Sequence, residues 1–197
     1  MSAQDSAVVI NVAAPPGGGK TTLSEAISAK LGNVPVLHFD DYQTFTERST
    51  AEIEAWVERG ARFEEITAPG FAEELARLRA SGAPYVVVDA PVGRAHPATS
   101  ATIDFLIFVD TPLDLALARV VRAQATRAAR ASDVAAARNF AIWLESYLDN
   151  YPRFMRRIYD MQRASLLPNA DLVLDGSLAP ERLADLAVSA IAQRVKP

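Results

Sequence analysis

The stretch Ala13-Ala14-Pro15-Pro16-Gly17-Gly18-Gly19-Lys20-Thr21-Thr22 decides how the chain is read. It joins an apolar run, Ala7-Val8-Val9-Ile10-Asn11-Val12, to a segment with Leu23, Ala26, Ile27 and Leu31 at helical spacing. Strand, glycine-rich turn and helix in that order predict a phosphate-binding loop. Without a Cβ in the way, successive backbone N–H groups can converge on phosphate oxygens, and the helix that follows adds its positive end. Pro16, Gly17, Gly18, Gly19, Lys20, Thr21 and Thr22 are then the nucleotide-binding residues, with Lys20 reaching the terminal phosphates and Thr21 a Mg²⁺ ion. Measured against G-x-x-x-x-G-K-[ST], the loop departs once, at Ala14, where a side chain is expected to restrict the backbone at the loop's mouth. A flexible glycine linker does not fit these structured flanks.

Working outward, apolar runs rich in β-branched residues recur at 7–13, 34–39, 84–89, 103–109 and 171–175, with helix-like segments between them. This alternation predicts an α/β fold whose five parallel strands are covered on both faces. Residues 49–81 read as two helices, one with Ile53, Trp56 and Val57 and one with Phe71, Leu75 and Leu78, separated by Pro69-Gly70. Thr111-Pro112 and Asp114 open a helix that runs to about residue 130. Ser132 or Asp133 is expected to cap the next helix, with Phe140, Trp143, Leu144, Tyr147 and Leu148, and Pro152 to kink or break it. Both tryptophans are assigned to packing.

The chain has 197 residues, half of them hydrophobic, and is read as one domain over 1–197. Lysine occurs only at 20, 30 and 196, so seventeen of the twenty cations are arginines, a bias suited to the phosphates of a small ligand. A net charge of −4 and a pI near 5.2 predict no nucleic-acid partner. Lack of cysteine excludes disulfides, thiolate metal sites and cysteine catalysis. Met1-Ser2-Ala3-Gln4-Asp5 has no basic segment of a secretory signal, and the apolar run after it is strand-sized, which predicts a cytoplasmic protein without a membrane partner.

The carboxyl ends of parallel strands open on one edge, where ligands bind. Tyr85-Val86-Val87-Val88 ends in Asp89, placed to hold Mg²⁺ with Thr21. The next residue is Ala90, so no carboxylate follows to polarise a water, which shifts the expectation from hydrolysis to transfer. His38-Phe39-Asp40-Asp41-Tyr42 closes the second strand: Asp40 is the candidate base for an attacking alcohol, Asp41 and Tyr42 are candidate substrate contacts, and His38 is read as structural. Arg119 and Arg122 share a helix face and are expected to close over phosphates, as are Arg127 and Arg130 with less reason. Arg94 and His96, in the loop after Asp89, are candidates for substrate recognition.

Taken together, Gly17 to Thr22, Asp40-Asp41-Tyr42 and the strand Phe105 to Asp110 leading into an arginine-bearing helix resemble the uridine kinase and phosphoribulokinase family of P-loop kinases. The resemblance spans almost the whole chain as a pattern of motifs. It implies a three-layer P-loop kinase fold with sheet order 2-3-1-4-5, acceptor-side helices at about 43–81, and a helical lid at about 119–138. Mg-ATP would be the donor and a hydroxyl of a small nucleoside, vitamin or sugar the acceptor, with Asp40 as base. Asp175-Gly176-Ser177 would lie near the adenine, which makes Asp175 a cofactor-binding candidate. The region 43–81 is shorter than a nucleoside-binding insertion, and Asp89-Ala90 stands where uridine kinases commonly have Glu-Gly. A nucleoside monophosphate kinase, needing Arg48, Arg59 or Arg62 for the acceptor phosphate, remains an alternative. So do a P-loop hydrolase or switch acting on a partner and a protein that only binds nucleotide. The expected oligomeric state is monomer or homodimer.

Overall fold

The computed structural model describes residues 6–131 and 133–195. Five strands form one parallel sheet: β1 (Val8–Ala13), β2 (Val36–His38), β3 (Tyr85–Asp89), β4 (Phe105–Asp110) and β5 (Leu172–Asp175). Their order is β2-β3-β1-β4-β5, as the resemblance implies. Register is set early, with Val8 opposite Tyr85 and Ile10 opposite both Val87 and Phe105.

The strands are apolar on both sides because each side has its own core. Val8, Ile10 and Val12 join Leu23 and Ile27 of α1 (Lys20–Lys30) and Leu183, Ala187 and Ile191 of α8 (Pro180–Arg194). The alternate residues Val9 and Ala13 join Trp56 and Val57 of α2 (Thr50–Glu58), Phe71, Leu75 and Leu78 of α3 (Phe71–Arg79), and Leu166 of α7 (Arg156–Leu166). The period of two along β1 thus serves both layers. Each fully buried large side chain contributes about 1.5–3 kcal/mol. Local signals place the helices. Ser49 and Glu52 form a reciprocal capping box that starts α2, and Asp133 caps α6 (Val134–Asn150) by accepting from the Ala136 N–H. Ser132, the other capping candidate, lies outside the described residues.

Trp56 is a packing residue, flanked by Phe45 and Phe63, with its indole N–H donating to the Arg62 carbonyl. Trp143 stacks on Tyr147 and Phe140 along α6. At Pro152, where a kink or break is expected, α6 ends and passes into α7 through a π-helical turn, Tyr151–Met155. The wider turn accommodates the missing proline N–H. α5 (Leu113–Ala131) and α6 pack together, and residues 119–131 and 134–138 of the expected lid lie in this pair. Among the described residues no helix is long and apolar enough to cross a membrane.

Candidate active site

β1 ends at the sheet's carboxyl edge, and the chain turns through Ala14 to Gly19 into α1. Gly17 and Gly19 have φ of 78° and 92°, the left-handed region that disfavours residues with a Cβ. Gly17 is constrained a second time, because a Cβ there would lie 2.2 Å from the Ala116 carbonyl oxygen of α5. Gly17→Ala is therefore expected to push α5 off the loop and weaken ATP binding by at least tenfold, read by titration calorimetry. Ala14 needs no glycine: its φ is not positive, and its methyl is fully buried against Gly18, where an added Cβ would come within 2.8 Å. The departure from the motif is absorbed by the glycine four residues on.

The loop's carbonyls are held away from its mouth. Gly18 N–H donates to Pro15 O at 2.7 Å, Thr111 Oγ1 donates to Gly18 O at 3.0 Å, and Gln162 Nε2 donates to Ala14 O at 3.2 Å.

Three strand ends bring the charged groups together. Lys20, first in α1, places Nζ 2.5 Å from Asp89 Oδ1 and 3.3 Å from Asp40 Oδ2. The contact with Asp89 is an ion pair without hydrogen-bond alignment, so Oδ1 is buried with no directed donor. Asp89 Oδ2 accepts from Thr21 Oγ1 at 2.7 Å and meets His38 Nδ1 at 2.9 Å. The other ring nitrogen of His38 lies 3.2 Å from Glu25 of α1. Asn11 secures the strand end beneath, its amide donating to the carbonyls of Val88 and Ala90 at 2.8 and 3.2 Å. Asp89 is 1% exposed, whereas the Asp40 side chain is 62% exposed and faces solvent.

These oxygens suit Mg²⁺. Thr21 and Asp89 offer two hard donors at the head of α1, and the unaligned Asp89 oxygen answers to charge alone. Among the described residues no group of three or more His, Cys, Asp or Glu is arranged to hold a metal by itself, so a Mg²⁺ ion held here would need phosphate oxygens and water to complete its shell.

A groove of about 560 Å³ runs over the loop, bounded by Asp40 and Pro91 at one end, Arg119 and Gln124 of α5 along the side, and Leu178 and Pro180 at the other end. A second cavity, about 620 Å³, lies beyond Pro15 between β4, β5 and α7. It is the larger, but its principal charges are spent: Arg163 grips Asp110 with two hydrogen bonds of 2.8 Å. That pairing also holds the Arg163 guanidinium above its ordinary value. The smaller groove has the amides, the lysine and the carboxylates, and is the candidate site.

Several sequence candidates stand elsewhere. Arg94 does not reach the open edge. It donates to the carbonyls of Ile103, Asp104 and Asn169 and pairs with Asp171 at 2.7 Å, all ahead of β4 and β5, at the opposite end of the sheet. The chain turns inward because Gly93 packs on Leu106 and Leu166, where an added Cβ would come within 2.8 Å of Leu166. His96 is 6% exposed. Its Nε2 lies 2.6 Å from Ile66 O and its Nδ1 accepts from Ala98 N–H, which fixes it as the cap of α4 (Pro97–Ser100). Arg94 is thus held away from the groove, and His96 is buried edge-on to Phe39, the residue before Asp40, with both ring nitrogens engaged. Arg94→Met is expected to lower the melting temperature by several degrees while leaving ATP affinity unchanged, checked by thermal melting beside calorimetry.

Asp175 is spent on its own turn. It accepts from the Ser177 amide and hydroxyl, which hold its carboxyl below the ordinary value, and it borders the second cavity. The loop after β5 reaches the groove through Leu178 and Pro180 instead. Tyr42 is half-buried edge-on to Phe71 at 5.5 Å and anchors the turn that presents Asp40, and Asp41 is exposed beside it. Of the arginines, Arg119 borders the groove, while Arg122 shares a neighbouring surface depression with Arg127 and Arg130. Pro16 and Thr22 line the groove with the glycines.

Thr111, Gln162 and the proximity of His38 to Asp89 were missed by the sequence argument. Gln162 had a signal: it lies at helical spacing from Tyr159 and Leu166, a lone amide on a buried face.

No family model matches the chain, and no curated protein matches it. Solved structures do. A sugar kinase from Janibacter matches with a TM-score of 0.52 at 15% identity, over 94% of this chain and 95% of its own. A deoxyadenosine kinase from M. mycoides with bound dCTP also gives 0.52, at 12% identity over 94% and 100%. A gluconokinase from Sinorhizobium meliloti gives 0.50 at 12% identity over 96% and 93%. What the chain shares with them is the P-loop kinase fold.

Proposed function

We propose that the protein transfers the γ-phosphoryl group of ATP to a hydroxyl of a small metabolite. The observation that carries this reading is the placement of Lys20 at the mouth of the phosphate loop between Asp89, which is buried, and Asp40, which is exposed. A triphosphate entering the groove gives the Lys20 ammonium a stronger anion than either carboxylate, and Lys20 moves onto the phosphates. Asp40 is then free at the acceptor end. As the alcohol oxygen attacks the γ-phosphorus, its proton passes to Asp40. The bond from that phosphorus to the β–γ bridging oxygen breaks, and ADP leaves with the electron pair. Thr21 and Asp89 would hold Mg²⁺, which supplies charge neutralisation on the phosphates. Arg119 covers the groove from α5, and Leu178 with Pro180 offers an apolar shelf for the base.

A phosphate acceptor is disfavoured, because the arginines it would need are engaged. Arg48 donates to Glu65 O and lies over the Phe45 ring, Arg59 pairs with Glu65 and Arg62 with Glu64. Ala90, fully buried after Asp89, offers no carboxylate to activate water, which speaks against a hydrolase. Within the kinase class, Asp40-Asp41-Tyr42 supports a uridine kinase or phosphoribulokinase type, and the acceptor class spans nucleoside, vitamin and sugar hydroxyls.

The test is ADP release from Mg-ATP with a panel of nucleosides, vitamins and sugars. Release that depends on one acceptor class supports the proposal. Equal release with and without acceptors would mark a hydrolase.

A further inference from the structure

We infer that Gln162 is the positioning residue that presets the phosphate loop, a role that rests on the groove being a triphosphate site. Gln162 stands on α7, 148 positions from Ala14 in sequence, and is 4% exposed. Its single amide group donates to Ala14 O at 3.2 Å and to Pro91 O at 2.6 Å.

The place of these two carbonyls gives the contact its meaning. β1 and β3 run side by side until the Ala90 N–H donates to Val12 O, at 3.3 Å. Beyond that bond the strands diverge, β1 into the phosphate loop and β3 into the loop after Asp89. Ala14 and Pro91 are the residues just past the divergence, and Gln162 bridges them. A carbonyl oxygen turned toward the groove would repel a triphosphate, and Ala14 O is held the other way by a donor that stays dry. Thr111 does the same for Gly18 O from the β4 side, and the loop's own Gly18 N–H does it for Pro15 O. With these carbonyls committed, the loop amides other than that of Gly18, which is spent on Pro15 O, are left to face the anion without rearrangement at binding.

The position is separable from the chemistry. Gln162 does not border the groove, touches neither Lys20 nor Asp89, and acts only through backbone it holds. Methionine matches glutamine closely in length and volume, so Gln162→Met removes the donors with little change in packing.

The experiment is calorimetric titration of the full chain with Mg-ATP and, separately, with inorganic tripolyphosphate, well below the melting temperature. Gln162→Met is expected to weaken both ligands by the same factor, about tenfold. Gln162→His keeps one donor and is expected to weaken both by a smaller, equal factor, and it carries the test if the methionine variant does not fold. A variant that melts earlier yet binds both ligands with the wild-type Kd would reduce Gln162 to a packing role and overturn the inference. Wild-type protein that binds neither ligand would overturn the triphosphate reading, and this inference with it.

Discussion

Asp40→Asn is expected to lower kcat by about 10²- to 10⁴-fold, the span that general base catalysis supplies. ATP affinity should hold or rise. Asp40 lies 3.3 Å from the Lys20 ammonium, so it competes with phosphate for that cation before ligand arrives, and the amide does not. A simple loss of fold would move both quantities down together. Single-turnover kinetics beside a calorimetric Kd separates the two cases, and a variant with normal turnover would remove Asp40 from the mechanism.

Lys20→Met is expected to cost about 10²- to 10³-fold in kcat/KM, because the charge that develops on the transferring group loses its fixed partner. It should also lower the melting temperature. Asp89 is 1% exposed, and removing the lysine leaves a buried carboxylate supported, among the described residues, by Thr21 and His38. Lys20→Arg separates these effects: the retained charge should recover part of the stability, while the planar guanidinium, unlike a compact ammonium, should not recover the rate. Stopped-flow turnover and thermal melting on the same samples check both parts. Unchanged kinetics in Lys20→Met would contradict the phosphate-loop reading.

What the sequence disclosed follows from how local the signals are. The parallel sheet was legible because β-branched runs such as Tyr85 to Val88 are buried on both faces, and burial on both faces leaves no alternation to misread. Lys20, Asp40 and Asp89 were legible together because each ends or follows a strand, and parallel strands put their carboxyl ends on one edge. Arg94 and His96 were misjudged for a related reason. Proximity in sequence to Asp89 suggested an open position for both, but the Arg94 guanidinium reaches Asp171 at the far end of the sheet, and the His96 ring is buried edge-on to Phe39 with its nitrogens spent on Ile66 O and Ala98 N–H. Asp175 ends β5, just before the turn that brings Leu178 to the groove, and the Ser177 hydroxyl and amide satisfy it there. Thr111 and Gln162 support the phosphate loop across 93 and 148 positions: helical spacing marks Gln162 as an amide on a buried face, but at such separations no local pattern tells which carbonyls it meets.

The most direct measurement follows the γ-phosphorus itself. With Mg-ATP and the acceptor that stimulates ADP release, phosphorus NMR should show a new phosphomonoester resonance growing as the γ signal is lost, in equal amount. Inorganic phosphate growing in its place, at a rate indifferent to the acceptor, would contradict phosphoryl transfer at this site.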